Sequence, residues 1–427
     1  MISFIILAAG RGSRMNLNMQ KCSLPIIDRA LINYTLDSIR KINDKETICV
    51  TSYKEDELID NIEIKNDITF VHQDAMLGTL DAIKCGLLSA SGDECFIIPG
   101  DSPIFDSKII KNIISFHHNN YADITLVGKY LSDLKSYGKI NYSKNKVRIL
   151  EANDRIENNG IYNSGVYLFN TDVLKNKINL VGKHKNTNEY YFTDIFKYLD
   201  EFKSVLYLAD DIMGANTLLE LNRLENELRR KIILSHIEKG VLIESIDTTY
   251  IGVNVEISSG VKIMGNTRIY GNSKIYANAT IIDSDITDSI INENSYIYKS
   301  VVNKSVIGVN TKIGPYANIR EKCQIFDNVR IGNFVEIKNS NIGDYTKCAH
   351  LTYIGDTKCG NNVNFGCGAV TCNYDGKNKN QTIIEENSFI GSNVNLIAPI
   401  VVRKNTFIAA GCSVSNDTKE NDFIKRK

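Results

Sequence analysis

Residues 305–338 read SVIGVNTKIGPYANIREKCQIFDNVRIGNFVEIK. Isoleucine stands at 307, 313, 319, 325, 331 and 337, every sixth position. Two residues before each stand Ser305, Thr311, Ala317, Cys323, Val329 and Val335, all small or β-branched. A helix repeats at 3.6 residues and a simple strand at 2, so neither accounts for a strict period of six. A prism-shaped coil does, because each six-residue side turns one large aliphatic inward. The period extends outward from this stretch. It runs earlier through Ile251, Ile257, Ile263, Ile269, Ile275 and Ile281, and later through Ile390, Leu396, Val402, Ile408 and Val414. With three sides to a coil, 251–418 predict about nine coils and a column roughly 40 Å tall at the usual strand spacing. The phase changes between 281 and 307. The register breaks around "CAHLTYIGD" (348–356) and across "CGAVTCNYDGKNKNQT" (367–382). Polar insertions in a solenoid map to loops on one face, often the binding face.

The first half has another rhythm. "ISFIILAA", "ETICVTS", "ITFVHQ", "ECFIIPGD" and "ADITLVGK" are β-rich, and helix-like stretches such as "INYTLDSIRKI" and "TLDAIKCGLLSAS" lie between them. Strands alternating with helices predict an α/β domain with a mostly parallel sheet, and continuous apolar runs fit strands covered on both faces. From Ala215 to Lys239 the chain lacks Pro and Gly and is rich in helix formers, which predicts a connecting helix. The expected organisation is an α/β domain over 1–214, a linker helix over 215–240 and a β-helix over 241–427.

The first strand leaves through "LAAGRGSRM", residues 7–15. Small Ala8 and Ala9 let a flat group approach the backbone, while Gly10 and Gly12 permit tight turns and expose N–H groups to an anion. Arg11, Arg14 and Lys21 bring positive charge to the same end of the sheet, where open α/β sheets bind ligands. Together these point to a polyphosphate. A dinucleotide fingerprint would need Gly at 15, where Met15 stands, and no Walker loop is present. Asp101, just past "ECFIIPG", faces the same edge. A carboxylate beside a triphosphate calls for a divalent cation between them, and Mg2+ is the natural choice. Gln73 is an amide suited to a base edge, and Gly78-Thr79 open a helix.

Composition narrows the class. Of 427 residues, 43% are apolar and 23% charged, the balance of a globular protein. Fifty basic residues offset fifty acidic ones, so no net field favours nucleic acid or an anionic membrane. No apolar run approaches the ~20 residues of a membrane span. "MISFIILAAG" lacks a basic region before its apolar run, so no secretory signal is read there. The ten cysteines form no CxxC pair and no zinc-like spacing, and read as reduced thiols of a cytoplasmic protein.

The motifs together resemble a bacterial family: the bifunctional N-acetylglucosamine-1-phosphate uridylyltransferase / glucosamine-1-phosphate acetyltransferases. The markers are "LAAGRGSRM", Lys21, "LGT" (77–79), "GD" (100–101), "YGKI" (137–140), "NSG" (163–165) and "EYYFTDI". In the second half they are "GPYANIR", "GNFVEIK", "AHLTYIGD", "NVNFGCGAVTCNYDG", "IGSNVNLIAP" and "IAAG". The resemblance implies a left-handed β-helix, a homotrimer and small-molecule substrates. It also implies synthesis of UDP-N-acetylglucosamine in two steps: acetyl transfer from acetyl-CoA to glucosamine-1-phosphate, then Mg2+-dependent transfer of uridylyl from UTP with release of pyrophosphate. By motif, Leu7, Ala8, Ala9, Gly10, Gln73, Gly78 and Thr79 hold uridine, and Arg14 with Lys21 the phosphates. Asp101 and Asn216 bind Mg2+, and Gly138, Glu151, Asn163 and Asn216 line the sugar-phosphate side. His350, the only histidine in the repeat region, takes the proton from the substrate amine. Arg320, Lys338, Tyr353, Asn364 and Lys379 grip the sugar phosphate, and Asn373 and Tyr374 complete the pocket. Cys367, Ser392, Ala410 and Lys427 lie along acetyl-CoA.

The chain departs from the family pattern in several places. Gln20, not proline, precedes Lys21, and "DRA" replaces a Gly-Lys-Pro turn. "EANDR" carries Asn153 where lysine is common, and Cys367 stands where alanine is usual. Family members continue past the last coil into a tail that shapes a neighbour's acetyl-CoA site, and the chain here reads "ENDFIKRK". Two other readings stay open at this point. One is a sugar-1-phosphate nucleotidylyltransferase whose β-helix only assembles, which activity with acetyl-CoA would exclude. The other is a non-catalytic scaffold, which Mg2+-dependent turnover of UTP would exclude.

Overall fold

A computed structural model gives the fold and describes the whole chain apart from residues 13–14, 16, 135–136, 144–145, 153–156, 185–188, 211, 213 and 426–427. The chain divides into two compact units, Met1–Glu225 and Asn226–Lys427. Among the described residues no helix is long and apolar enough to cross a membrane.

In the first unit, β1 (Ile2–Leu7), β2 (Lys45–Thr51), β3 (Thr69–His72), β4 (Glu94–Pro99), β5 (Ile124–Leu131), β6 (Gly160–Asn170) and β7 (Ser204–Leu208) share one sheet. Their order is β7-β5-β6-β4-β1-β2-β3. The run β4-β1-β2-β3 is parallel, as is β7 on β5, and β6 lies antiparallel to both its neighbours. The apolar run of β1 is buried on both faces because its side chains alternate between two cores. Ile5 joins Ile48, Val50 and Ile97 in one, while Phe4 and Ile6 join Cys49, Phe96 and Ile98 in the other. Phe4 and Phe96 stack with ring centroids 5.2 Å apart. Helix Thr79–Leu88 covers the first face through Leu80, Ile83 and Leu87, and helix Leu31–Arg40 covers the second through Ile32, Leu36 and Ile39. The long helix Leu218–Glu238 opens with a reciprocal cap, the Glu220 N–H donating to Thr217 Oγ1 and the Thr217 N–H to Glu220 Oε2.

The second unit is a parallel β-helix. Ile251 pairs with Ile269, Ile263 with Ile281, Ile307 with Ile325 and Ile313 with Ile331, each one coil apart. These isoleucines form one buried column, each contributing about 1.5–3 kcal/mol relative to exposure. Most corners carry a single residue at positive φ, such as Asn278, Asn310, Asn328 and Asn362. Asn tolerates that conformation better than other non-glycine residues. The phase change is not an interruption. Ile281, Ile286, Ile291, Ile297, Val302 and Ile307 stay in the buried column while the spacing falls to five residues on most of these sides. The corners of five-residue sides, Asp283, Asp288, Lys299 and Lys304, have tighter φ values of 43–47°. The same holds around "CAHLTYIGD", where Cys348 and Ile354 keep the column intact. Among the described residues the one large excursion is the hairpin 373–380, closed by a bridge between Tyr374 and Lys379. Buried Ser and Thr between the isoleucines bond the backbone of adjacent coils: Ser305 Oγ donates to Arg320 O and accepts from the Cys323 N–H.

Candidate active sites

At the carboxyl ends of β1 and β4 the first unit opens a cleft of about 890 Å³. Of the residues named from sequence, Leu7, Ala9, Gly10, Lys21, Gln73, Gly78, Thr79, Asp101, Glu151 and Asn163 line it. Ala8, Gly138 and Asn216 are not among the lining residues; Ala8 is buried, and its N–H continues the ladder to Val50 O at 2.9 Å. Arg14 lies outside the described residues, as does Asn153. Gly12 turns at φ 63°, whereas Gly10 has no positive φ and a Cβ there would meet nothing within 4 Å. The fold does not require that glycine, so its smallness belongs to the space of the cleft.

Each side chain is held by a local device. Lys21 sits on a short turn, Lys21–Ser23, and its ammonium bonds the Asp101 carboxylate and, at 3.2 Å, Asn216 Oδ1. Asn216 is placed by Glu220, whose Oε2 accepts from its N–H at 2.8 Å. The same oxygen accepts from the Tyr137 hydroxyl at 2.8 Å. Burial and Glu220 raise the Tyr137 phenol, so it stays protonated and donates. Gly78 caps the helix Thr79–Leu88 at φ 110°, and a Cβ there would come within 2.6 Å of Tyr190 O. The "EYYFTDI" segment therefore docks directly on "LGT", with the Phe192 N–H donating to Thr79 Oγ1 at 3.1 Å. Gln73 donates its amide nitrogen to Asp81 at 2.7 Å, which leaves its oxygen as the acceptor. Asn163 precedes an irregularity in the β6–β5 register, and its N–H donates to Gly138 O at 2.9 Å. Bulges of this kind re-aim side chains next to active sites. The Thr193 hydroxyl donates to Glu151 Oε1 at 2.7 Å.

Asp101 and Asn216 offer two hard oxygens that both bond one small cation, the Lys21 ammonium. That donor set fits Mg2+, which takes one or two protein ligands and fills its octahedral shell with phosphate and water. Among the described residues no three of His, Cys, Asp and Glu gather as a metal site.

In the second unit the residues fall into two neighbouring sets. Asn333, His350, Cys367, Ser392 and Ala410 each directly precede a positive-φ corner residue: Phe334, Leu351, Gly368, Asn393 and Gly411. Backbone bonds stack these corners coil on coil, from Gly368 N to Leu351 O, Asn393 N to Cys367 O and Gly411 N to Ser392 O, at 2.7–2.8 Å. The five residues thus climb a single column. His350 Nδ1 lies 3.0 Å from Asn333 Oδ1. An amide oxygen only accepts, so in the neutral ring the proton sits on Nδ1 and the lone pair on Nε2.

Past the Leu351 corner lies the other set. Arg320 Nη1 pairs with Glu336 at 2.9 Å, and Glu336 is the register partner of Tyr353. Asn373, buried, donates to Asp356 and, at 3.4 Å, to the Tyr353 hydroxyl. The hairpin is tied by Asp375, whose carboxylate accepts from Lys377 N, Asn378 N and Asn380 Nδ2 at 2.7–3.0 Å. It carries Lys379 to Lys338, and that contact lowers the Lys379 ammonium from its usual value. Two cations brought together concentrate positive charge that an anion would offset. Asn364 stands in register with Lys347, and Tyr374 is exposed on the hairpin. Lys427 lies outside the described residues. The sequence reading did not single out Asn333, Glu336, Asp356, Thr193 or Asp81.

The comparisons agree with this geometry. Residues 4–131 match the family described as MobA-like NTP transferase domain, and 304–339 the family described as bacterial transferase hexapeptide (six repeats). A nucleotidyltransferase unit followed by a hexapeptide-repeat transferase unit is the class of enzyme that fold and sites define. Full-length relatives make it narrower. "Bifunctional protein GlmU" of Clostridium acetobutylicum is 35% identical over 98% of this chain and 94% of its own length. Its namesakes in Clostridium botulinum and Caldicellulosiruptor saccharolyticus are each 36% identical over 98% of this chain, and over 94% and 93% of their own lengths. The chain belongs to the GlmU family of bifunctional proteins.

Proposed function

We propose that the two units carry out the two steps that the family resemblance implies: acetyl transfer from acetyl-CoA to glucosamine-1-phosphate in the β-helix, and uridylyl transfer from UTP to N-acetylglucosamine-1-phosphate in the α/β unit. The observation that supports this most is the column Asn333–His350–Cys367–Ser392–Ala410. It gives an extended thioester a straight track that ends beside a histidine with a free Nε2. Nε2 takes a proton from the substrate amine, which is an ammonium near neutral pH and cannot attack until it loses one. Lys338, Lys379 and Arg320 hold the sugar phosphate, and Tyr353 and Asn373 close the pocket around it.

In the α/β unit, Leu7, Ala9 and Gly10 leave room for uridine, and the Gln73 oxygen accepts from the base. Lys21, with Arg14 from outside the described residues, neutralises the triphosphate. Asp101 and Asn216 would hold Mg2+, which would supply charge neutralisation for the phosphates. The sugar phosphate is already an anion and needs no strong base, so orientation and charge carry the rate. Gly138, Glu151 and Asn163 frame that substrate. The chain assembles as a homotrimer in the cytoplasm, which light scattering at three times the chain mass would support.

A paired assay on the purified chain tests the reading. CoA thiol is followed with acetyl-CoA and glucosamine-1-phosphate, and pyrophosphate with UTP and N-acetylglucosamine-1-phosphate. Both signals are expected, and chelation of divalent cations abolishes pyrophosphate release while thiol release continues. Pyrophosphate without thiol would make the β-helix an assembly module instead.

A further inference from the structure

We propose that Gln20 is a positioning residue for uridylyl transfer: its side chain ties the backbone of the nucleotide loop at Ala8 to the turn that carries Lys21. The inference rests on the assignment of that cleft to UTP. Gln20 is wholly buried and uses both ends of its amide. Nε2 donates to Ala8 O at 2.6 Å, while Oε1 accepts from the N–H groups of Cys22 at 2.5 Å and Ser23 at 3.2 Å. Its backbone N–H donates to Glu57 Oε1 at 2.9 Å, and Glu57 in turn pairs with Lys54 at 3.2 Å. The Gln20 N–H is the first cause holding the Glu57 carboxyl below its usual range.

Three observations give these bonds a functional meaning. Ala9 and Gly10, directly after the tethered carbonyl, and Lys21, directly after Gln20, all line the cleft. Nothing lies within 4 Å of a Cβ built at Gly10, so packing does not hold that position; the nearest anchor before it is Ala8, which is buried and whose carbonyl Gln20 binds. Finally, Gln20 has φ −68°, the value proline enforces, yet proline could donate neither to Glu57 nor to Ala8. In this chain four hydrogen bonds and one buried side chain take over what a ring would do there. The two ends of the amide separate two tasks. The donor end sets the loop against which the nucleotide lies, and the acceptor end sets the turn that aims the Lys21 ammonium at the phosphates.

Two variants of the full chain distinguish the ends. Gln20→Glu keeps acceptors for Cys22 and Ser23, and at pH values high enough to ionise this buried carboxyl it donates nothing to Ala8. Gln20→Ala loses both ends. In uridylyl transfer, Gln20→Glu raises KM for UTP roughly tenfold with kcat near wild type, and Gln20→Ala raises KM and lowers kcat about tenfold as well. Acetyl transfer, measured on the same samples, stays unchanged. A purely structural role would reduce the active fraction, lowering kcat with KM untouched, and that result would overturn the proposal. Amide exchange in ligand-free protein gives a readout independent of turnover. Exchange at Cys22 accelerates in Gln20→Ala and not in Gln20→Glu, while Ser23, whose N–H also bonds Gln20 O at 3.1 Å, serves as the control; unchanged exchange at Cys22 in Gln20→Ala overturns the tether whatever the activities. A wild-type chain without uridylyl transfer would count against the proposed reaction, and the exchange rates would still decide the tether.

Discussion

Asn333 and His350 are 17 positions apart in sequence yet are register partners on adjacent coils, 3.0 Å apart through Oδ1 and Nδ1. Removing the amide leaves the imidazole free to take either tautomer and to rotate at an exposed site. Asn333→Ala is expected to slow acetyl transfer about tenfold, since orientation and the correct tautomer are what the bond supplies. CoA release against pH is the measurement, and a wild-type rate would remove Asn333 from the mechanism. His350 was legible from sequence because it falls within "AHLTYIGD", one of the motifs that carry the family resemblance, and no other histidine falls in the repeat. Asn333 was not, because the partnership depends on a coil of 17 residues rather than 18. Gln20 was hidden for a related reason. Sequence showed a missing proline, whereas the side chain's reach to Ala8 O is a tertiary contact with no local signature.

At the scale of elements, the column of isoleucines explains why the β-helix was readable at all. Each side must bury one large aliphatic, and that demand is written in the sequence at a fixed interval. Ile325 lies fully buried between Ile307 and Ile342, its register partners on the adjoining coils. Ile325→Ala should cost about 2–5 kcal/mol through lost burial and a residual cavity. Thermal unfolding followed by circular dichroism would show it, and an unchanged transition would mean that the column collapses to fill the gap. The five-residue sides were less legible. Ile286, Ile291 and Val302 serve the same column, but the strict count of six passes over them. What disguises them is the corner: a tighter left-handed residue closes the side one position early. The hairpin 373–380 appeared in sequence only as a polar break. Its fold depends on Asp375, whose three hydrogen bonds are local, and its purpose depends on Lys379 meeting Lys338, which is not local.

For the molecule as a whole, the residues assigned to uridylyl transfer all belong to Met1–Glu225 and those assigned to acetyl transfer to Asn226–Lys427. The central claim is that one chain holds two chemically independent sites, one built on an ammonium shared by Asp101 and Asn216 and the other on a histidine oriented by an amide. Crossed single variants test it most directly, with CoA thiol and pyrophosphate release both measured on Lys21→Ala and His350→Ala. The account predicts that Lys21→Ala loses pyrophosphate release by at least about a hundredfold and keeps thiol release. His350→Ala should show the reverse, by a factor on the order of 10²–10⁴. If either substitution depressed both rates alike, or neither rate responded to its own variant, the assignment of two independent sites would be contradicted.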